Sequence, residues 1–98
     1  MRLSILNREK ARVYNEPIEM KERRHAFFPQ AFLWHGRCYR VRAVERCWTV
    51  MRRQRTKARL CFLLRCAEGT FEVHQDLASN TWHLSRARWQ NPQLAESA

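Results

Sequence analysis

The side chains most able to do chemistry in this 98-residue chain are its arginines, cysteines and histidines. Nineteen Lys and Arg face nine Asp and Glu, a net charge of +10, and sixteen of the nineteen are Arg. A guanidinium is a planar fork that bonds two phosphate oxygens at once and stacks on bases, which suits phosphate-bearing partners. The cations are concentrated. Arg37, Arg40, Arg42 and Arg46 sit on or beside one strand-like run, and Arg52, Arg53, Arg55, Lys57 and Arg59 crowd the stretch after it. Projected to one side, they make a band suited to tracking a phosphate backbone. Trp48, Trp82 and Trp89 add stacking surfaces where exposed and are core where buried. A basic surface can also serve solubility alone, and an Arg-rich loop can be a plain solvated connection.

Cys38, Cys47, Cys61 and Cys66 show no Cys-x-x-Cys spacing, and a regular strand places Cys61 and Cys66 on opposite faces, so no zinc site is expected. Cys47 and Cys66 read as small buried hydrophobes, and all four as reduced thiols. His74 and His83 become cross-strand neighbours in the hairpin described below, close enough to share an ion or hinder each other's protonation; two surface imidazoles are the plainer reading. Two glycines leave no material for a phosphate loop or a nucleophile elbow. Pairing Asp76 with His74, or Cys38 with His35, rests on sequence proximity, which is not geometry. The expectation is therefore a protein that is not an enzyme and takes no cofactor, metal or small-molecule substrate.

These side chains need a scaffold, and 98 residues suffice for one domain with a modest core. No run is long and apolar enough to cross a bilayer, and Arg8, Glu9 and Lys10 interrupt any signal-peptide core, so a cytoplasmic protein is expected. Residues 1–29 read as an N-terminal extension: Ser4 can cap a short helix with Leu6, Lys10 and Val13 on one side, and Ile18 and Met20 alternate with charges as in an edge strand. From Gln30 the alternation sharpens. Phe32 and Trp34, a His35-Gly36 turn, then Tyr39 and Val41 predict a type I′ hairpin pairing Phe32 with Tyr39. A bulge between Arg42 and Glu45 lets one long strand carry on through Trp48 to Val50. Met51 to Lys57 reads as a basic loop. Leu60, Phe62, Leu64 and Cys66 share a strand face. A Glu68-Gly69 turn then pairs Cys66 with Phe71, Arg65 with Glu72 and Leu64 with Val73. The last hairpin pairs Val73 with Leu84, His74 with His83 and Gln75 with Trp82. Residues 90–98 read as a loose tail.

The fold class is therefore mainly β: a strongly twisted antiparallel meander of five to six strands over residues 30–89. Burying both Phe32/Trp34 and Leu60/Phe62/Leu64 requires that it curl into a small open barrel or gain a cover, for which the N-terminal segment is the only candidate.

The segments Phe32-Leu33-Trp34-His35-Gly36-Arg37-Cys38-Tyr39-Arg40-Val41, Glu68-Gly69-Thr70-Phe71-Glu72-Val73, Asp76-Leu77 and Thr81-Trp82-His83-Leu84-Ser85-Arg86, with Trp48 between, resemble a family of small uncharacterised bacterial domains over Glu16 to Trp89. Members of that family occur alone or beside Y-family error-prone DNA polymerases. The resemblance implies a DNA-repair or polymerase accessory, and it carries over no catalytic residue. Met51 to Lys57 departs from the family in being strongly basic. The expected function is a non-catalytic basic module contacting DNA or RNA; the alternative is a module that docks on an acidic protein surface without touching nucleic acid.

Overall fold

The computed structural model describes residues 11–51 and 58–98. Among them run six strands and one short helix: β1 (Arg12–Arg24), β2 (Phe28–Trp34), β3 (Arg37–Met51), β4 (Ala58–Cys66), β5 (Gly69–Asp76), β6 (Thr81–Trp89) and α1 (Pro92–Ser97). Each strand pairs antiparallel with the next, and β1 pairs with β6, so the meander closes into a barrel. Closure buries the alternate residues of every wall together: Phe32, Trp34, Tyr39, Phe62, Leu64, Phe71, Val73, Trp82 and Leu84 form one core. It also shortens the bare sheet edges that invite pairing with other chains, leaving them only at the corner strands among the described residues.

The walls are organised by two corner strands. β1 pairs with β6 from Arg12 to Ile18, then with β2 from Glu19 to Arg24. β3 pairs with β2 from Arg37 to Arg40, then with β4 from Val41 to Met51. Register shifts between Val41 and Ala43 and between Val44 and Arg46 turn β3 through its corner, where the sequence places a bulge.

β1 corrects the boundary drawn at residue 29. It is a 13-residue wall strand, neither an extension nor a cover. Its alternation is masked by Asn15, at φ 52 where β1 shifts register against β6, and by Pro17. Proline is tolerated because β1 has only one paired neighbour there. The helix expected near Ser4 lies outside the described residues except for Val13, which is in β1.

Two registers are as expected. Phe32 opposes Tyr39 across a turn whose His35 and Gly36 have φ of 53 and 75, and His74 opposes His83. The β4–β5 register differs. The turn is Ala67-Glu68, so Cys66 opposes Gly69, Arg65 opposes Thr70 and Leu64 opposes Phe71. The shift leaves each residue on its face, so apolar still meets apolar. Arg65 binds Glu45 on β3 at 2.8 Å rather than Glu72, which faces Arg86 at 3.9 Å. Gly69 belongs to the strand because the β6 backbone lies against its α-carbon.

The tail is also more ordered than expected. Asn91 caps α1 by accepting the Gln93 amide at 3.0 Å, Pro92 starts the helix, and Ala98 packs on the core. Cys47 is exposed, not buried, because β3 there runs past the end of its pairing with β2. Cys66 is core, and Cys61 is buried on the opposite face; burial pushes their thiols up to about 12 and about 11.

The β1–β2 hairpin carries strain. Its turn, Arg24 to Phe27, is closed by the Phe27 amide donating to the Arg24 carbonyl at 3.0 Å. His25 and Ala26 occupy φ of 56 and 55, a conformation that costs an L-residue roughly 1–2 kcal/mol and is usually given to Asn-Gly. Ala26→Gly is expected to stabilise the domain by roughly 0.5–1 kcal/mol, since relief of the φ cost exceeds the added chain entropy. Thermal melts of parent and variant check this, and a lower melting temperature in the variant contradicts it.

Candidate nucleic-acid interface

Each corner strand leaves a gap where its partner changes. At the β1 corner side chains bridge the side facing the β2–β3 turn, while the side facing the start of β6 keeps a groove of about 420 Å³ lined by Ile18, Glu19, Arg23 and Trp82, among others. Trp34 Nε1 donates to Glu16 Oε1 at 3.0 Å, His35 Nε2 lies 2.8 Å from the same oxygen, and Tyr14 sets its ring edge-on to Trp34 at 4.9 Å. At the β3 corner the gap stays open. β2 and β3 part beyond Ala31 and Arg40, leaving a groove of about 370 Å³ lined by Arg24, His25, Phe28, Gln30, Arg42 and Val44, among others.

Many arginines elsewhere on the surface are engaged by carboxylates or rings. Arg40 binds Glu22 at 3.4 Å, Arg65 binds Glu45, and Arg86 faces Glu72. Arg23 lies over the Trp82 ring at 5.9 Å, Arg37 over Tyr39 at 5.9 Å and Arg46 over Trp48 at 5.1 Å. Arg24 and Arg42 have neither a carboxylate nor a ring partner among the described residues. Two unneutralised guanidiniums therefore line one concave opening, where a ligand anion gains most.

Phe28 lines the groove, and Phe27 packs beside it from the turn. Phe27 and Phe28 keep 37% and 36% of their surface exposed. Their rings meet edge to face at 4.7 Å, and both set edges on core Phe62, at 5.5 and 6.4 Å. The core thus holds the rings from beneath while leaving surface free. Pro29, fully buried, fixes the backbone that follows.

The structure divides the expected arginine band. Arg37, Arg40, Arg42 and Arg46 are exposed on β3, but the two bulges turn that strand, and only Arg42 reaches the groove. Arg59 is half-buried at the start of β4, opposite Val50 and Asp76. Arg52, Arg53, Arg55 and Lys57 lie outside the described residues. Of the tryptophans offered for stacking, Trp82 is core, and Trp89 packs partly buried against Phe71 at 5.2 Å. Arg24, His25, Phe28 and Gln30 line the groove, with Phe27 beside them, although none stands out in the sequence as a site residue. Their signal was an aromatic pair set between Arg23-Arg24 and Pro29.

The histidine pair forms but is not a surface pair. His74 and His83 stack at 5.2 Å with 17° between ring planes, His74 is only 7% exposed, and its Nδ1 lies 2.7 Å from Ser85 Oγ. Among the described residues no three His, Cys, Asp or Glu side chains are grouped to hold a metal ion.

Fold and site together define a small antiparallel barrel whose β3 corner opens into a basic groove. Residues 6–94 match a family described as a domain of unknown function, DUF6504, and the chain belongs to that family. No curated protein and no solved structure matches it. Among the described residues no helix is long and apolar enough to cross a membrane.

Proposed function

We propose that this domain is a non-catalytic binding module for nucleic acid that works in the cytoplasm. The observation that carries the reading is the open corner, where Arg24 and Arg42 remain unpaired beside exposed phenylalanines in a chain of net charge +10. Phosphates supply the charge these guanidiniums lack, and bases supply the flat partner the rings lack. A role beside a DNA polymerase or in DNA repair rests on the motif resemblance alone. Docking on an acidic protein would satisfy the arginines but leave the phenylalanines unused.

Binding to a labelled oligonucleotide is expected to weaken steeply with salt. Log K should fall against log salt by about 0.7 for each phosphate contacted on a single strand, so two to four contacts give a slope of roughly −1.5 to −3. Fluorescence anisotropy between low and moderate salt measures it. A flat profile, or no binding at the lowest salt, overturns the reading.

A further inference from the structure

Resting on the nucleic-acid reading, we infer that the open β3 corner is a single-strand site: an unpaired base stacks on Phe28, bordered by Phe27, while Arg24 and Arg42 hold the phosphates flanking it. The ring pair fits a base by shape and by rigidity. The two rings stand at 89° to each other and rest on Phe62, so a base can lie on one while the other borders it. The tight Arg24–Phe27 turn ties the Arg24 backbone to that of Phe27 through one hydrogen bond, so cation and ring spring from the same turn. Arg42 enters from β3, on the other side of the groove, so a backbone crossing the gap meets a guanidinium on each side. Gln30, also lining the groove, offers an amide that both donates and accepts, the chemistry a base edge needs.

Duplex nucleic acid does not fit this arrangement. Its bases are stacked internally, so it presents phosphates to the arginines and nothing to the rings. A groove of about 370 Å³ is also at the small end of ligand sites, sized for one nucleotide unit rather than a helix. An acidic peptide brings carboxylates without flat faces. The other two-cation groove, where Arg12 and Arg88 border Trp89, lacks an exposed aromatic, because Trp89 is packed on the core and donates to Tyr14 at 3.0 Å.

The test uses three probes, a mixed-sequence single-stranded DNA, its duplex and a poly-glutamate peptide, against the parent, Phe27→Leu/Phe28→Leu and Arg24→Gln/Arg42→Gln. Leucine keeps an apolar contact on Phe62 but removes the flat face, and the arginine pair is exposed, so both variants are expected to melt close to the parent. The parent should prefer the single strand to the duplex. The leucine variant should lose about 5- to 150-fold in single-strand affinity with an unchanged salt slope, since stacking is not a counterion effect. The glutamine variant should lose affinity and about 1.4 of salt slope, from two phosphate contacts. If the parent binds no oligonucleotide at any salt, the nucleic-acid reading itself fails and this site with it. If the parent binds with a steep slope but both variants match it, nucleic acid binds elsewhere and only this site is overturned. Tighter binding of the duplex, or of the peptide, overturns it as well.

Discussion

Gly69→Ala is expected to remove a large share of the barrel's stability. Gly69 has a φ of 153, backbone that side-chain-bearing residues almost never adopt. A β-carbon there would collide with the Arg88 carbonyl oxygen and lie 3.0 Å from the Trp89 α-carbon and 3.1 Å from the Gln90 nitrogen. All three obstacles are backbone, so no side chain can swing aside. Relief requires β6 to lift from β5 where Gln90 donates to the Glu68 carbonyl at 2.8 Å and Trp89 rests on Phe71. Backbone strain of roughly 1–3 kcal/mol and overpacking of a similar size add to about 4 kcal/mol, against a total stability of roughly 5–15 kcal/mol for a typical domain. Gly36→Ala is the control. Its φ is 75, but nothing lies within 4 Å of the added carbon, so the cost is about 1–2 kcal/mol. Urea unfolding of parent and both variants measures the contrast; a Gly69→Ala protein as stable as Gly36→Ala refutes it.

Acid is expected to destabilise the domain through His74. Burial first, then the Arg59 guanidinium and the His83 ring, pull the His74 imidazole from 6.5 down to about 4, with Asp76 opposing. The folded state thus resists a proton that the unfolded chain accepts near 6.5. Stability is full above that pH and falls as pH drops from about 6.5 to about 4, by roughly 3 kcal/mol once both states are protonated. Below that window this group changes stability no further. His74→Gln removes the titration at some cost at neutral pH, chiefly the contact with Ser85 Oγ. Urea midpoints at pH 7, 5.5 and 4 should therefore fall more steeply for the parent than for the variant. Parallel profiles would show that His74 takes up its proton in the fold.

The fold was legible wherever alternation and turn chemistry agreed. His35-Gly36 supplies the two left-handed residues of a type I′ turn, and the apolar alternation on both sides leaves one register. The bulge in β3 was visible because Ala43, Val44, Cys47 and Trp48 have the wrong period for an unbroken strand. The β4–β5 turn misled because Gly69 carries the mark of a turn residue, while its reason is the close approach of β6, a long-range fact no local window contains. β1 was hidden by charge. Its exposed residues mix Glu, Lys and Arg with Val13, Asn15 and Pro17, and its inward Tyr14, Ile18 and Met20 are too few to announce a central wall. The site was less legible than the fold. Arginine counting found Arg42, but whether a cation is free depends on the carboxylates and rings that folding brings to it. Phe27 and Phe28 look like core in sequence and are half-exposed because the walls part beside them.

The junction of β1 with β6 has a consequence for how the chain reaches this state. The five successive pairings from β1–β2 to β5–β6 are hairpins that zip from neighbouring residues at small loop entropy. The β1–β6 pairing joins partners as far apart as Tyr14 and Trp89, 75 residues distant, and gains nothing until the intervening sheet has curled. Closure is thus the slow, cooperative end of folding, and it cannot begin until β6 has emerged from the ribosome. Before it, the sheet is an open ribbon with two bare edges, each able to accept a strand from a second copy. The chain's hazard of self-association is greatest in that interval, because the finished barrel keeps bare edge only along the singly paired stretches of its corner strands among the described residues.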